Sequence, residues 1–232
     1  MRFLLLLILF TFTLFAKETT ITVGAGIYTQ TQPYKDNDTL ILPSPVIFFD
    51  NSLLYIRWTR VGLYFAGDKS DELSWGCSLT VQPRANSYKS NSTYMEDKDS
   101  TWEGGLAFGI SKENYYAELL LLHDILNKYD SFVAQLDFGS EYSFKDITFY
   151  PSISFFYQSS EFINYYYEPA DPHAGIDIAI QTYINYPLTK SLSAFINLKA
   201  EKLSKEITSS AIVEDKMLYS SLFSLIYTFH LK

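Results

Sequence analysis

The sequence has a single cysteine, Cys77, and only three histidines in 232 residues. One cysteine cannot form an internal disulfide framework, and it excludes a metal site built from a cysteine cluster. Basic residues are also in the minority, because 18 Lys and Arg stand against 26 Asp and Glu, giving a formal charge of −8. Since phosphate binding needs a concentrated basic surface, nucleic acid is not expected as a partner.

Long apolar runs are absent except at the start of the chain, over 3–15. That run follows Arg2 and precedes the small residue Ala16, which is the arrangement of a secretory signal peptide. It is shorter than the ~20 residues that a transmembrane helix needs. The sequence therefore predicts a signal peptide over 1–16 and a single exported domain over 17–232.

Beyond this run no segment keeps a helical period. Apolar and polar residues instead alternate with period two in about eleven segments, which are strand candidates. The cleanest case is 132–145, where Phe132 and Leu136 alternate with Gln135 and Asp137. Aromatic residues make up 17% of the chain and favour strands, so an all-β fold is expected.

Two architectures fit this alternation, a soluble barrel or sandwich and a transmembrane antiparallel β-barrel. The polar faces are rich in Gly, Ser, Thr and Gln, as a narrow wet lumen would be, and aromatic residues cluster at strand ends. With an export signal, these features predict an outer-membrane barrel of about ten to twelve strands. Either 20–29 is not a full crossing, or 53–66 hides two strands. The apolar phase flips near Thr59–Arg60, which favours twelve.

The segment 160–177, SEFINYYYEPADPHAGID, is the most unusual stretch of the domain. Asp171, His173 and Asp177 are too few and too poorly supported for a metal site, so neither a metal nor a cofactor is expected. The alternative is a strand over 162–167 whose tyrosines rim the membrane or a loop, followed by prolines that stiffen the exit. The expected interface and loop contacts are Tyr165, Tyr166, Tyr167, Pro169 and Pro172.

No catalytic constellation is visible in the sequence. His123 and Asp124 are adjacent, so on a strand they point to opposite faces, and no Ser-centred elbow or phosphate loop is present. An enzyme is not expected.

Six acidic residues are expected on inward faces of the barrel. They are Glu103, Glu118, Asp137, Glu141, Asp177 and Glu201. A negative interior would favour cations if a path exists, because rings of charge set selectivity. Alternatively, these acids pair with groups such as Arg57 and Arg60 and fill a narrow barrel.

Several segments in order resemble the MipA/OmpV family of outer-membrane proteins. VGAGIYTQTQPY is similar to the first strand and its Pro/Tyr loop, and LILPSPVIFFDNSLLYIRWTRVGLYF resembles a Leu-Pro-x-Pro segment followed by a Gly-Leu strand. MEDKDSTWEGGLAFGI, NYYYEPADPHAGID and IVEDKMLYSSLFSLIYTFHLK resemble the acidic loop, the Tyr-Tyr loop and the closing strand. Together they span nearly the whole exported domain.

The resemblance implies a non-catalytic scaffold or anchor in the outer membrane. Its expected partners are lipid, a periplasmic lytic transglycosylase and a murein synthase. Two other functions remain open, a narrow channel for cations or small solutes, and an adhesin that acts through its outer loops.

Overall fold

The computed structural model describes residues 19–35, 37–70, 72–84 and 98–231. The expected signal peptide, 1–16, lies outside these residues, as does the segment 85–97. The strands are β1 (Thr19–Gln30), β2 (Leu40–Asp50), β3 (Leu54–Arg57), β4 (Arg60–Lys69), β5 (Ser74–Arg84), β6 (Thr101–Lys112), β7 (Tyr115–Asp124), β8 (Phe132–Ser140), β9 (Tyr142–Phe144), β10 (Ile147–Gln158), β11 (Gly175–Pro187), β12 (Leu192–Lys202) and β13 (Met217–Leu231). Two helices follow β10 and β12, α1 (Ser160–Tyr167) and α2 (Lys205–Thr208).

Antiparallel pairing runs around the whole sheet and closes it into a barrel. β1 pairs with β2 on one side and with the last strand, β13, on the other. The pairing of β1 with β13 runs from Thr19↔Leu231 to Gln30↔Ser220. β8 and β9 both pair with β10 in one continuous register, so they form a single crossing that is interrupted at Glu141. The barrel therefore has twelve crossings, and the prediction of a transmembrane antiparallel barrel of ten to twelve strands is confirmed.

The ambiguous run 53–66 contains two strands. β3 and β4 pair from Leu54↔Leu63 to Arg57↔Arg60, so a tight turn at Trp58–Thr59 joins them. Trp58 takes a left-handed conformation there (φ 57°). This turn shifts the side-chain phase between the strands and explains why the apolar positions change from even to odd numbers.

Side chains on the outer face of the barrel are apolar, and many on the inner face are polar or small. On β11, Ile176, Ile178 and Ile180 are 55%, 42% and 64% exposed, whereas the intervening Asp177 and Ala179 are buried. This polarity is opposite to that of a soluble barrel and is the pattern of a barrel surrounded by lipid. In the described part of the chain, no helix is long and apolar enough to cross a membrane.

The two ends of the barrel differ in the length of their connections. At one end, here the turn end, the connections are 51–53, 70–73, 113–114, 145–146 and 188–191. At the other end, the loop end, they are 31–39, 85–100, 125–131, 159–174 and 203–216, apart from the tight turn between β3 and β4. Long loops face the cell exterior in such barrels, so the turn end faces the periplasm.

Candidate functional site

The stretch expected to be a strand over 162–167 is instead the helix α1, and that prediction was wrong. The side chain of Ser159 caps the helix by accepting a hydrogen bond from the backbone N–H of Phe162. The helix ends at Glu168, which takes a left-handed conformation, and Pro169 follows it.

The inner face of α1 closes the loop end with an apolar cluster. Phe162, Ile163, Tyr166 and Tyr167 are buried in it. They are joined by inward side chains of the wall and by residues of the other loops, which are Tyr34, Leu120, Leu122, Tyr129, Val133, Leu203, Ile207, Val213 and Leu218. We call this set the cap.

The tyrosines expected at the membrane interface therefore belong largely to the cap. Tyr166 and Tyr167 are buried, Tyr165 is half-buried, and Pro169 is buried beneath the loop, while Pro172 is half-buried. Burial raises the pKa of both Tyr166 and Tyr167, so their hydroxyls stay protonated at neutral pH.

A buried ion pair lies directly beneath the cap. Arg84 on β5 donates from Nε and Nη2 to the two carboxylate oxygens of Glu103 on β6, at 2.7 and 2.9 Å. The hydroxyl of Tyr129 donates to the same carboxylate at 2.8 Å. Burial raises the pKa of Tyr129, and the carboxylate of Glu103 raises it further. The guanidinium carbon of Arg84 stands 5.5 Å from the ring centroid of Phe162, which ties the ion pair to the helix.

Two more acidic side chains hold the loops of the cap in place. Asp177 accepts from the side chain of Gln158 (3.0 Å) and from the backbone N–H of Ser204 (2.7 Å), the residue that caps α2. Asp124 accepts from the hydroxyl of Thr101 and from backbone N–H groups of the loop 125–131. Asp177 thus fixes the start of the loop 203–216, and Asp124 fixes the loop 125–131, each by accepting from backbone N–H groups of that loop.

A cavity of about 1010 Å³ occupies the lumen below the cap. Tyr34 and Tyr167 line its roof, where their rings stack with centroids 5.8 Å apart. The cavity reaches the turn end, where Thr22, Ser193 and Thr228 line it. It is thus roofed towards the exterior and extends towards the periplasm.

An ionic bridge in the cavity joins the short β3–β4 hairpin to β7, three strands away from β4. Arg57 and Arg60 donate to the two carboxylate oxygens of Glu118, at 3.0 and 2.5 Å. Arg57 also contacts Asp50 at 3.1 Å and lies 4.4 Å from the ring centroid of Tyr55. The bridge ties the hairpin to the neighbouring part of the barrel wall.

The six inward acids do not form one site. Glu103 and Asp177 are buried at the cap, Glu118, Asp137 and Glu201 line the cavity, and Glu141 is exposed at the turn end. The three cavity acids all have partners: Glu118 the two arginines, Asp137 the amide of Gln135, and Glu201 the ammonium of Lys199. The cavity lining also contains four cations, Arg57, Arg60, Arg84 and Lys199, so it carries no excess of negative charge.

The structure does not assemble the metal-ligand set considered for 160–177. Asp171 and His173 are exposed and contact each other at 3.1 Å, whereas Asp177 is buried on the inner face of β11. Among the described residues, no group of three or more His, Cys, Asp or Glu side chains is placed to hold a metal ion. His123 and Asp124 face opposite sides of the wall, outward and inward.

A closed twelve-crossing barrel with an apolar outer belt, a partly polar lumen and long loops at one end is an integral outer-membrane protein. The profile of the family described as "MltA-interacting protein MipA" matches residues 23–229. The chain belongs to this family. Proteins named MltA-interacting protein from Escherichia coli (strain K12) and Shigella flexneri are each 25% identical over 208 residues, which is 83% of this chain and 83% of theirs.

Solved barrels also resemble the structure. In-vitro folded OmpT, an outer membrane protein of Vibrio cholerae, is 8% identical, and the match covers 93% of this chain and 99% of that chain with a TM-score of 0.44.

Proposed function

We propose that this barrel is a non-catalytic scaffold that anchors peptidoglycan-remodelling enzymes at the outer membrane. The expected partners are a lytic transglycosylase and a murein synthase on the periplasmic side. Relatives that carry the name MltA-interacting protein support this class of partner.

The observation that carries the proposal is the closed loop end. The cap fills the mouth with buried apolar side chains, and the bridge from Arg57 and Arg60 to Glu118 occupies part of the lumen below it. A general solute pore needs a continuous aqueous path, and a roofed, bridged lumen favours a binding role over conduction. The balanced charge of the cavity lining likewise gives little support to a cation channel.

The tip of the β9–β10 hairpin is the best contact surface for a periplasmic partner. β7 pairs with β8 only as far as Tyr115↔Ser140, so the hairpin extends beyond β7 at the turn end. Tyr142 and Phe144 on this tip are 61% and 56% exposed. Exposed aromatic side chains on a projecting hairpin are typical anchors of protein interfaces.

Affinity capture of the tagged protein from its own envelope tests the proposal, with bound proteins identified by mass. We expect wild type to recover a lytic transglycosylase or a murein synthase, and the double variant Tyr142→Ser/Phe144→Ser to recover less. The matched control is Asp171→Ala/His173→Ala, which changes two exposed side chains at the opposite end and should recover as much as wild type. If wild type captures no such enzyme beyond an unrelated barrel, the scaffold proposal fails.

A further inference from the structure

The barrel wall has a notch in its loop-end half, between β2 and β5. β3 pairs with β2 only over 48–50, and β4 pairs with β5 no further than Val81. In the described ranges, no strand pairs with this edge of β2 over 40–46 or with this edge of β5 over 82–84. The unpaired edge of β2 is about 23 Å long, and β2 and β5 are about 14 Å apart where β3 and β4 separate them.

Prolines occupy both edges of the notch at the positions that face it. The backbone N–H of Trp58 donates to the carbonyl of Ile47, so odd-numbered residues of β2 direct their backbone groups towards the notch. Pro43 and Pro45 share this parity. On β5, Pro83 is opposite Trp102 of β6. The carbonyl of Trp102 accepts from the backbone N–H of Ile125, so it points away from β5. Pro83 therefore directs its backbone groups away from β6, towards the notch.

These prolines remove N–H donors where an added strand would need them. Proline on an open edge is a common protection against pairing with another strand. The notch is therefore not suited to a peptide that adds to the sheet.

The cavity of the lumen continues into the notch. Pro43 and Pro83 lie at outward-facing positions of their strands, yet both line the same cavity as the inward-facing Ser44 and Gln82. Both prolines lie on the edges of the notch, between which no described strand lies. The cavity therefore reaches the notch as well as the turn end.

The inner side of the notch is largely apolar and aromatic along β2, whereas Gln82 and Arg84 line it along β5. The indole N–H of Trp58 donates to the hydroxyl of Ser44 at 2.9 Å, which holds the ring at the base of the opening. Tyr28 packs edge-on against that indole with centroids 5.7 Å apart, and Leu42 and Phe48 line the same region.

We propose that the notch is a lateral portal through which an acyl chain of a bilayer lipid enters the cavity. The outer face beside the notch is part of the lipid-facing belt, with Ile41 65% exposed and Ile27, which is opposite Pro43 on β1, 58% exposed. Lipid therefore contacts the outer edge of the notch and can reach the aromatic inner side through the opening. Burial of a hydrocarbon chain against Trp58 and Phe48 covers apolar surface that would otherwise face water.

Quenching of Trp58 by brominated lipid tests the portal. The variant Trp75→Phe/Trp102→Phe removes the other two tryptophans, which lie on the outer face, and leaves Trp58 as the sole indole. The protein is folded into phosphatidylcholine vesicles with or without bromine on the acyl chains. We expect bromine to cause a large loss of Trp58 emission.

The control places an indole on the inner face behind an intact wall. It is Trp58→Phe/Trp75→Phe/Trp102→Phe/Phe156→Trp, because Phe156 is buried in the lumen on β10, which is paired on both sides. Phe156 lies outside the apolar cluster that contains Trp58 and Phe48. Brominated lipid should quench this indole less than Trp58. Equal quenching of the two, or quenching of Trp58 by aqueous acrylamide but not by brominated lipid, would overturn the portal.

Discussion

The ion pair beneath the cap allows the sharpest test of how the loop end is stabilised. Glu103 is completely buried, and its carboxylate is held by two contacts from Arg84 and one from Tyr129. Replacement of Arg84 with Met keeps much of the side-chain volume but removes the charge. The Glu103 carboxylate is then left in the interior with two neutral donors, the hydroxyl of Tyr129 at 2.8 Å and the side-chain amide of Gln82 at 3.4 Å.

The expected cost follows from the asymmetry of buried ion pairs. Removal of one partner leaves an uncompensated charge and costs about 3–5 kcal/mol of unfolding free energy, whereas replacement of both partners is often close to neutral. Arg84→Met alone should therefore be strongly destabilising. The double variant Arg84→Met/Glu103→Gln should recover about 2 kcal/mol or more, because the neutral amide needs no counter-charge and still accepts from Tyr129.

Urea unfolding of the barrel in lipid vesicles, followed by tryptophan fluorescence, measures these free energies. Lys128→Met is the control, because Lys128 and Asp99 form an exposed pair whose loss should cost far less than the loss of Arg84. If the double variant is as unstable as Arg84→Met, the carboxylate of Glu103 is not the source of the cost. In that case the packing of the arginine on Phe162 is what matters, and the electrostatic reasoning is refuted.

Three further predictions concern the cap. Phe162→Ala should lower the unfolding free energy by about 3–5 kcal/mol in the same urea titration because it empties a fully buried site, while Tyr165→Ala, at the half-buried edge, should cost clearly less. Ser159→Ala should cost about 1 kcal/mol through loss of the helix cap, and Ser159→Asp, which restores an acceptor, should recover most of it. Since burial raises the pKa of Tyr129 and Tyr167, the stability that depends on their neutral hydroxyls should be fully present below pH 10, the ordinary tyrosine value, and lost as pH rises through the higher folded value. Tyrosinate absorbance would then show a late fraction that ionises only as the cap opens, and titration of all tyrosines near pH 10 would contradict this.

The wall of the barrel could be predicted from the sequence because its signal is local. Alternation with period two is set by the pleat of each strand, and an export signal indicates that the apolar face meets lipid. Even the division of 53–66 into two strands could be inferred from the change of phase, since a one-residue shift moves every side chain to the other face.

The helix α1 was missed although its sequence carried the necessary signals. Ser159 precedes an acidic first turn, Pro169 lies two residues beyond the last helical residue, and the buried Phe162, Ile163, Tyr166 and Tyr167 recur at helical spacing. Three consecutive tyrosines have a strong strand preference, and in isolation the eight-residue helix would be marginal. The helix forms because the cap buries its apolar face, and that is a tertiary effect.

The partners of the inward acids could not be predicted from spacing. Glu118 lies 58 residues from Arg60 and 61 from Arg57, and these side chains meet only because the barrel curves and the β3–β4 hairpin is short. Sequence alternation places an acid on the inner face but gives no information about which cation stands opposite. The sequence therefore left two alternatives open, a negative lumen and acids paired with groups such as Arg57 and Arg60, and the structure shows the second arrangement at Glu118.

The prolines of β2 and β5 show the same limit most clearly. Within a strand, a proline signals only an edge or a bulge, and Leu-Pro-x-Pro on its own does not say which neighbour is missing. The direction of each absent N–H depends on the register, which becomes known only when Trp58 is seen to donate to Ile47. Once that parity is fixed, Pro43, Pro45 and Pro83 all face one gap, although the two strands are some forty residues apart in the chain. Prolines at all three positions are explained together if the gap must stay free of strands, and a portal to the bilayer requires an edge of this kind.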